Sequence, residues 1–297
     1  MKRTDCLPAV WLMMTNNIGA TSVGSVLEDL ISRLEKNSDT SSLDAQVLLA
    51  RVLDRPRSWV MAHPEAYLDC NQIAALEQLV IRLEGGNPLP YVLGRWEFFG
   101  LEFEVTPDVL ITRPETELLA ERAIGWLHVH PDRRHAADIG SGSGCIGIAL
   151  AANIPDLQVM GSDISAEAVE MARHNANKNG VEQRMEFVCC DLFPPEAEFD
   201  LIVANLPYVP TGTLHSLPIY GREPTLALDG GADGFNLIRR FLAAAPDRLV
   251  PGGLLLMEIE ASEGPLAVAL ACDAFAEAEI HLHKDLSGLD RILEVQV

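Results

Sequence analysis

Asn205-Leu206-Pro207-Tyr208 is the segment of this chain best suited to chemistry. The Asn205 side-chain oxygen and the Leu206 main-chain carbonyl are two acceptors, and each can take one hydrogen of an NH2 group. Pro207 has no N–H and biases Leu206 toward an extended conformation, which fixes the direction of that carbonyl. Tyr208 offers a flat face to a planar amide or base, and its ring attracts a cation. An amide nitrogen or an adenine amine is a poor nucleophile because its lone pair is delocalised. An enzyme that alkylates it must turn the lone pair toward the electrophile, and two acceptors do this without a strong base. Catalysis is then positioning plus preorganised dipoles. An ordinary proline turn after a strand is the other reading of the segment, and what precedes it in the chain decides between them.

The stretch Asp138-Ile139-Gly140-Ser141-Gly142-Ser143-Gly144 ends a strand and opens a helix. Its glycines permit a tight turn and close approach of a ligand to the backbone. The helix N-terminus offers free N–H groups to an anionic group such as a carboxylate. Gly142-x-Gly144-x-x-Gly147 also matches the dinucleotide fingerprint, with Asp163 near the distance expected for a ribose-binding acid. The loop alone therefore leaves NAD and S-adenosylmethionine (AdoMet) both open. Three acids favour AdoMet. Asp138 precedes the loop, where it can meet the cationic amino group of a methionine moiety. Asp163 ends the next strand and can accept both ribose hydroxyls. Asp191 ends the third, where its carboxylate, or the backbone beside Leu192, can take an adenine amine. Acids at the carboxyl ends of three successive parallel strands point into the crevice where such sheets bind ligands. A dehydrogenase reading leaves Asp191 and residues 205–208 without a role.

The elements that must position these residues follow from hydrophobic spacing. Val23, Val26, Leu27, Leu30, Ile31 and Leu34 follow one helix face. A second helix, capped by Ser41 or Ser42, carries Leu43, Val47 and Leu48, and a third carries Ile73, Leu76, Leu79, Val80 and Leu83 before Gly85-Gly86. Residues 21–88 thus read as a helical domain. Asn87-Pro88-Leu89-Pro90 breaks the pattern, and 96–99 and 101–105 about Gly100 read as a β-hairpin within a linker over 89–110. From 111 onward strands at 136–139, 159–162, 185–190, 201–204, 254–259, 279–283 and 291–297 alternate with helices, the last two strands pairing antiparallel. A helix over 165–179 is capped by Ser165 and ended by Gly180. The fold class is α/β: a doubly wound, mostly parallel, seven-stranded Rossmann-like sheet. Residues 1–20 read as a frayed extension. Their apolar stretch is short and lacks a clear cleavage site, so they do not read as a signal peptide, and translation starting at Met13 or Met14 is an alternative.

The formal charge of −21 speaks against a protein that grips bare nucleic acid, since phosphate binding needs a basic face. No apolar run is long enough to span a membrane. Six cysteines, at 6, 70, 145, 189, 190 and 272, form no C-x-x-C pair, and adjacent Cys189 and Cys190 read as small core residues, which suits a reducing cytoplasm. His281 and His283 share a strand face but show no third ligand, so no metal is expected.

Taken in order, Asp-x-Gly-x-Gly-x-Gly, a strand-end Asp, Asp191-Leu192-Phe193 and Asn-x-Pro-Tyr resemble the class I AdoMet-dependent amino methyltransferases. More closely, the chain resembles the release-factor glutamine methyltransferases (the HemK/PrmC family), from about residue 21 to the C-terminus. The closer likeness rests on Arg95–Leu101, on Val109–Glu117 with its Arg113-Pro114-Glu115-Thr116-Glu117, and on Arg222–Gly231. The resemblance implies methyl transfer from AdoMet, leaving S-adenosylhomocysteine, to the glutamine amide of the Gly-Gly-Gln motif in peptide chain release factors. It implies cofactor contacts at Gly140, Ser141, Gly142, Ser143, Gly144, Asp163, the 191–192 turn and Asn205. It implies substrate contacts at Asn205, Leu206, Pro207 and Tyr208, with the helical domain as the docking platform. Arg113 and Glu115 read either as substrate contacts or as first-turn helix residues with Pro114 at the first helical position. A monomer without direct nucleic-acid binding is expected. An adenine amino methyltransferase and a ribosomal-protein glutamine methyltransferase are the alternatives; the charge disfavours the first, and the 113–117 stretch disfavours the second. The chain departs from the family pattern at Leu206 and Thr112, each where proline is usual, and at Glu260, where the family has glycine after Glu258-Ile259.

Overall fold

The computed structural model describes residues 21–36, 38–195 and 197–297. The expected N-terminal extension and the alternative starts at Met13 and Met14 lie outside them. Contacts divide the chain into two units between Leu93 and Gly94. The hairpin therefore falls in the second unit.

The first unit is helical. Helices α1 (Val23–Leu34), α2 (Ser41–Leu53) and α3 (Cys70–Glu84) bury Val23, Val26, Leu30, Leu34, Leu48, Leu49, Leu76 and Val80 in one cluster. Asp69 and Gln72 form a reciprocal capping box at the start of α3. The start of α2 differs from expectation. Ser41 lies already inside the helix, and Thr40 occupies the cap without a side-chain bond to the backbone. The Ser38 and Thr40 hydroxyls instead donate to the Asp44 carboxylate, at 2.6 and 3.1 Å, so the cluster ties down the turn from its own side. Within the stretch 87–90 expected to break the helical pattern, Leu89 and Pro90 instead begin a further short helix, Leu89–Leu93.

The second unit opens with a hairpin of β1 (Arg95–Phe98) and β2 (Leu101–Glu104). Phe99 and Gly100 at its tip both have positive φ, 52° and 74°, the backbone of a tight hairpin turn whose twist matches its strands. Then follow α4 (Thr116–Val129), β3 (His135–Ile139), α5 (Cys145–Asn153), β4 (Gln158–Asp163), α6 (Ala166–Lys178), β5 (Met185–Cys189), β6 (Phe199–Ala204), α7 (Asn236–Ala244), β7 (Leu249–Glu258), α8 (Gly264–Ala274), β8 (Glu279–Lys284) and β9 (Asp290–Gln296). Among the described residues the strands form a seven-stranded sheet in the order β8-β9-β7-β6-β3-β4-β5. Neighbours from β7 through β5 are parallel, and only β9 runs antiparallel to both its neighbours.

Alternation along the strands explains the layers. Ala136, Leu201, Val203, Leu254 and Leu256 face a core shared with α4, α5 and α6. Ala137, Ile139, Ile202, Ala204, Leu255 and Met257 face the opposite core, shared with α7 and α8. Two runs from β3 outward, β4-β5 one way and β6-β7 the other, leave a crevice at the carboxyl ends of β3 and β6, the switch point at which such sheets bind ligands. Cys189 and Cys190 are corrections to the sequence reading. Cys189 is exposed and Cys190 half-buried, because the strand ends there and the chain turns over the sheet edge.

Candidate active site

Beyond β3 the chain turns through Gly140, Gly142 and Gly144, with φ of 73°, 53° and 79°. All three are left-handed, a conformation costly to residues bearing a Cβ. Space adds a second reason at two of them: a Cβ on Gly140 would come 2.9 Å from Leu206 Cδ2, and one on Gly144 would come 3.0 Å from Ala172 Cβ. The Gly140 and Ser141 amides donate to the Ser162 carbonyl at 2.8 and 2.9 Å, which clips the loop to the end of β4.

Asp163 follows at that strand end. It accepts from the Gly142 amide at 2.8 Å and, through its other oxygen, from the Ser165 amide at 2.9 Å. Ser165 caps α6 as the sequence predicts, and Gly180 beyond it has φ 69°. Asp191 lies past β5 and pairs with Arg240 on α7. Leu192 has φ 62°, and its carbonyl accepts from the Ser162 hydroxyl at 2.6 Å.

A cavity of about 580 Å³ opens at this switch point, walled by the glycine loop, Asp163, the 190–192 turn, Asn205–Pro207 and two covering segments, 107–112 and 224–227. Asn205, Leu206, Pro207, Asp163, Asp191 and Leu192 are thus brought together as the sequence predicts, with Gly140, Ser141, Gly142 and Ser143. Asp138, Gly144 and Tyr208 are placed behind these walls. Asp138 is fully buried beneath the loop and accepts from the Gly147 amide at 2.9 Å, and desolvation pushes its carboxyl up to about 7. Its other oxygen has no partner. Tyr208 packs half-buried on the α7–α8 side, where burial and the nearby Glu258 push its phenol up to about 12.

Asn205 leads into a network that sequence reasoning missed. Its Nδ2 lies 3.2 Å from Thr116 Oγ1 and 3.1 Å from Glu258 Oε2, and the Thr116 hydroxyl donates to the same Oε2 at 2.6 Å. Burial raises the Glu258 carboxyl to about 7. Glu223 was also missed. Its buried carboxylate takes Arg113 Nη2 at 2.6 Å and the Ile111 amide at 3.2 Å, latching one covering segment to the other. Arg113 is therefore an ion-pair partner within the covering segments. Glu115 is exposed at the N-cap of α4, and the helix starts at Thr116, so Pro114 lies outside it rather than at its first position.

Sheet order, glycine loop and strand-end acid together define a class I methyltransferase, whose methyl donor is AdoMet. Residues 116–216 match the family described as "Methyltransferase small domain", and residues 25–94 match the "PrmC N-terminal domain". The fold is also that of the hMettl16 catalytic domain solved with a MAT2A 3′UTR hairpin (TM-score 0.50, 14% identity, covering 76% of this chain and 82% of that one). The release factor glutamine methyltransferase of Geobacter sulfurreducens is 37% identical over 268 residues, 87% of this chain and 90% of the relative. That of Bordetella pertussis is 36% identical over 270 residues, 90% of this chain and 98% of the relative. The chain belongs to the release factor glutamine methyltransferase family.

Proposed function

We propose that this enzyme transfers a methyl group to the side-chain amide nitrogen of the Gly-Gly-Gln glutamine in a peptide chain release factor. The observation that carries the reading is the Asn205 amide: its nitrogen is tied inward to Thr116 and Glu258, which leaves its oxygen to accept from a substrate NH2 beside the Leu206 carbonyl. The residues present fit AdoMet. Gly140, Gly142 and Gly144 carry no Cβ to fill the approach, and Asp163 carries two carboxylate oxygens at the cavity wall. When bound, AdoMet supplies an electrophilic methyl on a sulfonium.

In this reading Gly140, Ser141, Gly142 and Ser143 hold the cofactor's methionine end, with Gly144 shaping the turn and Asp138 supporting it from beneath. Asp163 takes the ribose, and Asp191 and Leu192 border the adenine. Asn205 and Leu206 each accept one amide hydrogen, Pro207 fixes the Leu206 carbonyl, and Tyr208 backs the segment. This holds the acceptor lone pair toward the methyl, and the amide proton leaves to solvent after transfer. Leu206 keeps the carbonyl acceptor that proline would supply, and its buried side chain anchors the segment against Gly140. Arg113 shapes the substrate entry through Glu223, and Glu115 lies exposed where a protein substrate can reach it.

The helical unit, residues 21–88 in the sequence reading, serves as the docking platform, with the hairpin region as connector. The enzyme acts as a cytoplasmic monomer without direct nucleic-acid binding. The charge of −21 supports the absence of direct nucleic-acid binding, and no described helix is long and apolar enough to cross a membrane. Radiolabelled AdoMet offered with a release factor, the same factor carrying alanine for the motif glutamine, and ribosomal RNA tests the reading. Label on the first alone is expected, and label on RNA would overturn it.

A further inference from the structure

We propose that Thr116 and Glu258 are positioning residues that fix which end of the Asn205 amide meets the acceptor nitrogen, an inference that rests on the amide-methylation reading above. An asparagine amide has nearly the same shape either way round, so electrostatics alone chooses between its two orientations. At Asn205 that choice is enforced from three elements: the chain just after β6, the first residue of α4 and the last residue of β7. Thr116 and Glu258 are 1% and 2% exposed, so water does not compete for their oxygens.

In the observed orientation the amide nitrogen donates into the Thr116–Glu258 pair. Turned over, Asn205 would place its oxygen 3.1 Å from a carboxylate oxygen and leave that buried carboxylate short of a donor. It would also present an NH2 to the incoming NH2, two donors facing each other, and the acceptor would lose half its cradle. Glu258 does not reach the reacting atoms. Its negative charge acts through Asn205 by polarising the amide and making Oδ1 a stronger acceptor.

The charged and titratable groups facing Glu258 are Arg113 and Glu115 before α4, Arg291 on β9 and Tyr208 after β6. The two arginines favour its ionised form, whereas Glu115 and burial oppose it. The polarising charge is therefore complete only above neutrality.

The test uses the full-length enzyme with a release factor. It compares wild type, Thr116→Val, Glu258→Ala, Glu258→Gln and the Thr116→Val/Glu258→Ala double variant, and AdoMet affinity is measured separately by calorimetry. Thr116→Val and Glu258→Ala are expected to lower kcat at least about tenfold, with AdoMet Kd changed less than about twofold. The double variant is expected to be no worse than about the poorer single one, because both act through the same amide. Glu258→Gln keeps an acceptor oxygen and is expected to recover most of the rate, but to lose the fall in kcat expected of wild type as pH drops below about 7. Normal kcat in the variants, an equal loss of AdoMet affinity, or multiplicative losses in the double variant would overturn the inference alone. No transfer by wild type would overturn the amide reading and take this inference with it.

Discussion

In the proposed reading, Asn205 and Asp163 divide the work between the acceptor and donor sides of the cavity that both line. Replacing Asn205 with alanine removes an acceptor from the methylated nitrogen but no cofactor contact of the glycine loop. Turnover is expected to fall roughly 10²–10³-fold, the scale of losing one preorganised hydrogen-bond partner, while AdoMet binding by calorimetry stays near wild type. Asp163→Ala is the complementary case. It frees the Gly142 and Ser165 amides and removes the ribose acceptors, so the AdoMet Kd should rise by about tenfold or more, since hydrogen bonds to a charged group contribute about 1.5–3 kcal/mol. An unchanged Kd would show that the ribose lies elsewhere. These residues are legible from sequence because type and local spacing carry the signal. Thr116, Glu223 and Glu258 are not, since their partners lie 89, 112 and 142 residues away for the Asn205–Thr116, Ile111–Glu223 and Thr116–Glu258 bonds.

At the scale of elements, Asn175 does more than its place on α6 suggests. It is fully buried, donates to the Ser143 and Glu104 carbonyls at 2.9 and 3.0 Å, and accepts from the Glu104 amide at 2.8 Å. One side chain thus joins the glycine loop to the hairpin. Asn175→Ala leaves these groups unpaired and should cost about 2–3 kcal/mol in urea denaturation, with weaker AdoMet binding because the loop loosens. A loss under about 0.5 kcal/mol would mean water replaces the amide. Most strands of the sheet were legible because they are short apolar runs flanked by polar or glycine residues, whereas β8, Glu279–Lys284, alternates polar and apolar residues. β7 is the instructive exception: it begins at Leu249, five residues before the expected 254, because a shift in register around Pro251-Gly252-Gly253 lets the strand resume pairing. The cap of α2 was not legible either: the helix begins at Ser41, so neither Ser41 nor Ser42 precedes it, and Thr40 at the cap turns its hydroxyl to Asp44 instead.

For the molecule as a whole, buried acids set the response to pH. Asp138 rises from 3.8 to about 7 and Glu258 from 4.5 to about 7, both chiefly through desolvation. The folded state therefore binds more protons than the unfolded chain between about pH 4 and 7. The stability these groups contribute is full below about pH 4 and is lost as pH rises through about 7. Thermal melts should show Tm falling across that window. Asp138→Asn, which keeps an acceptor for the Gly147 amide, should flatten the fall, and an unchanged slope would assign the effect to other groups.

The division between Leu93 and Gly94 carries a consequence of another kind. Every wall of the cavity is drawn from residues 107–240. In the proposed reading, with the first unit as docking platform, chemistry and address are written in separate stretches of chain, and selection can rewrite one without editing the other. A lineage that exchanged only the first stretch would carry the same alkylating cassette to a new protein.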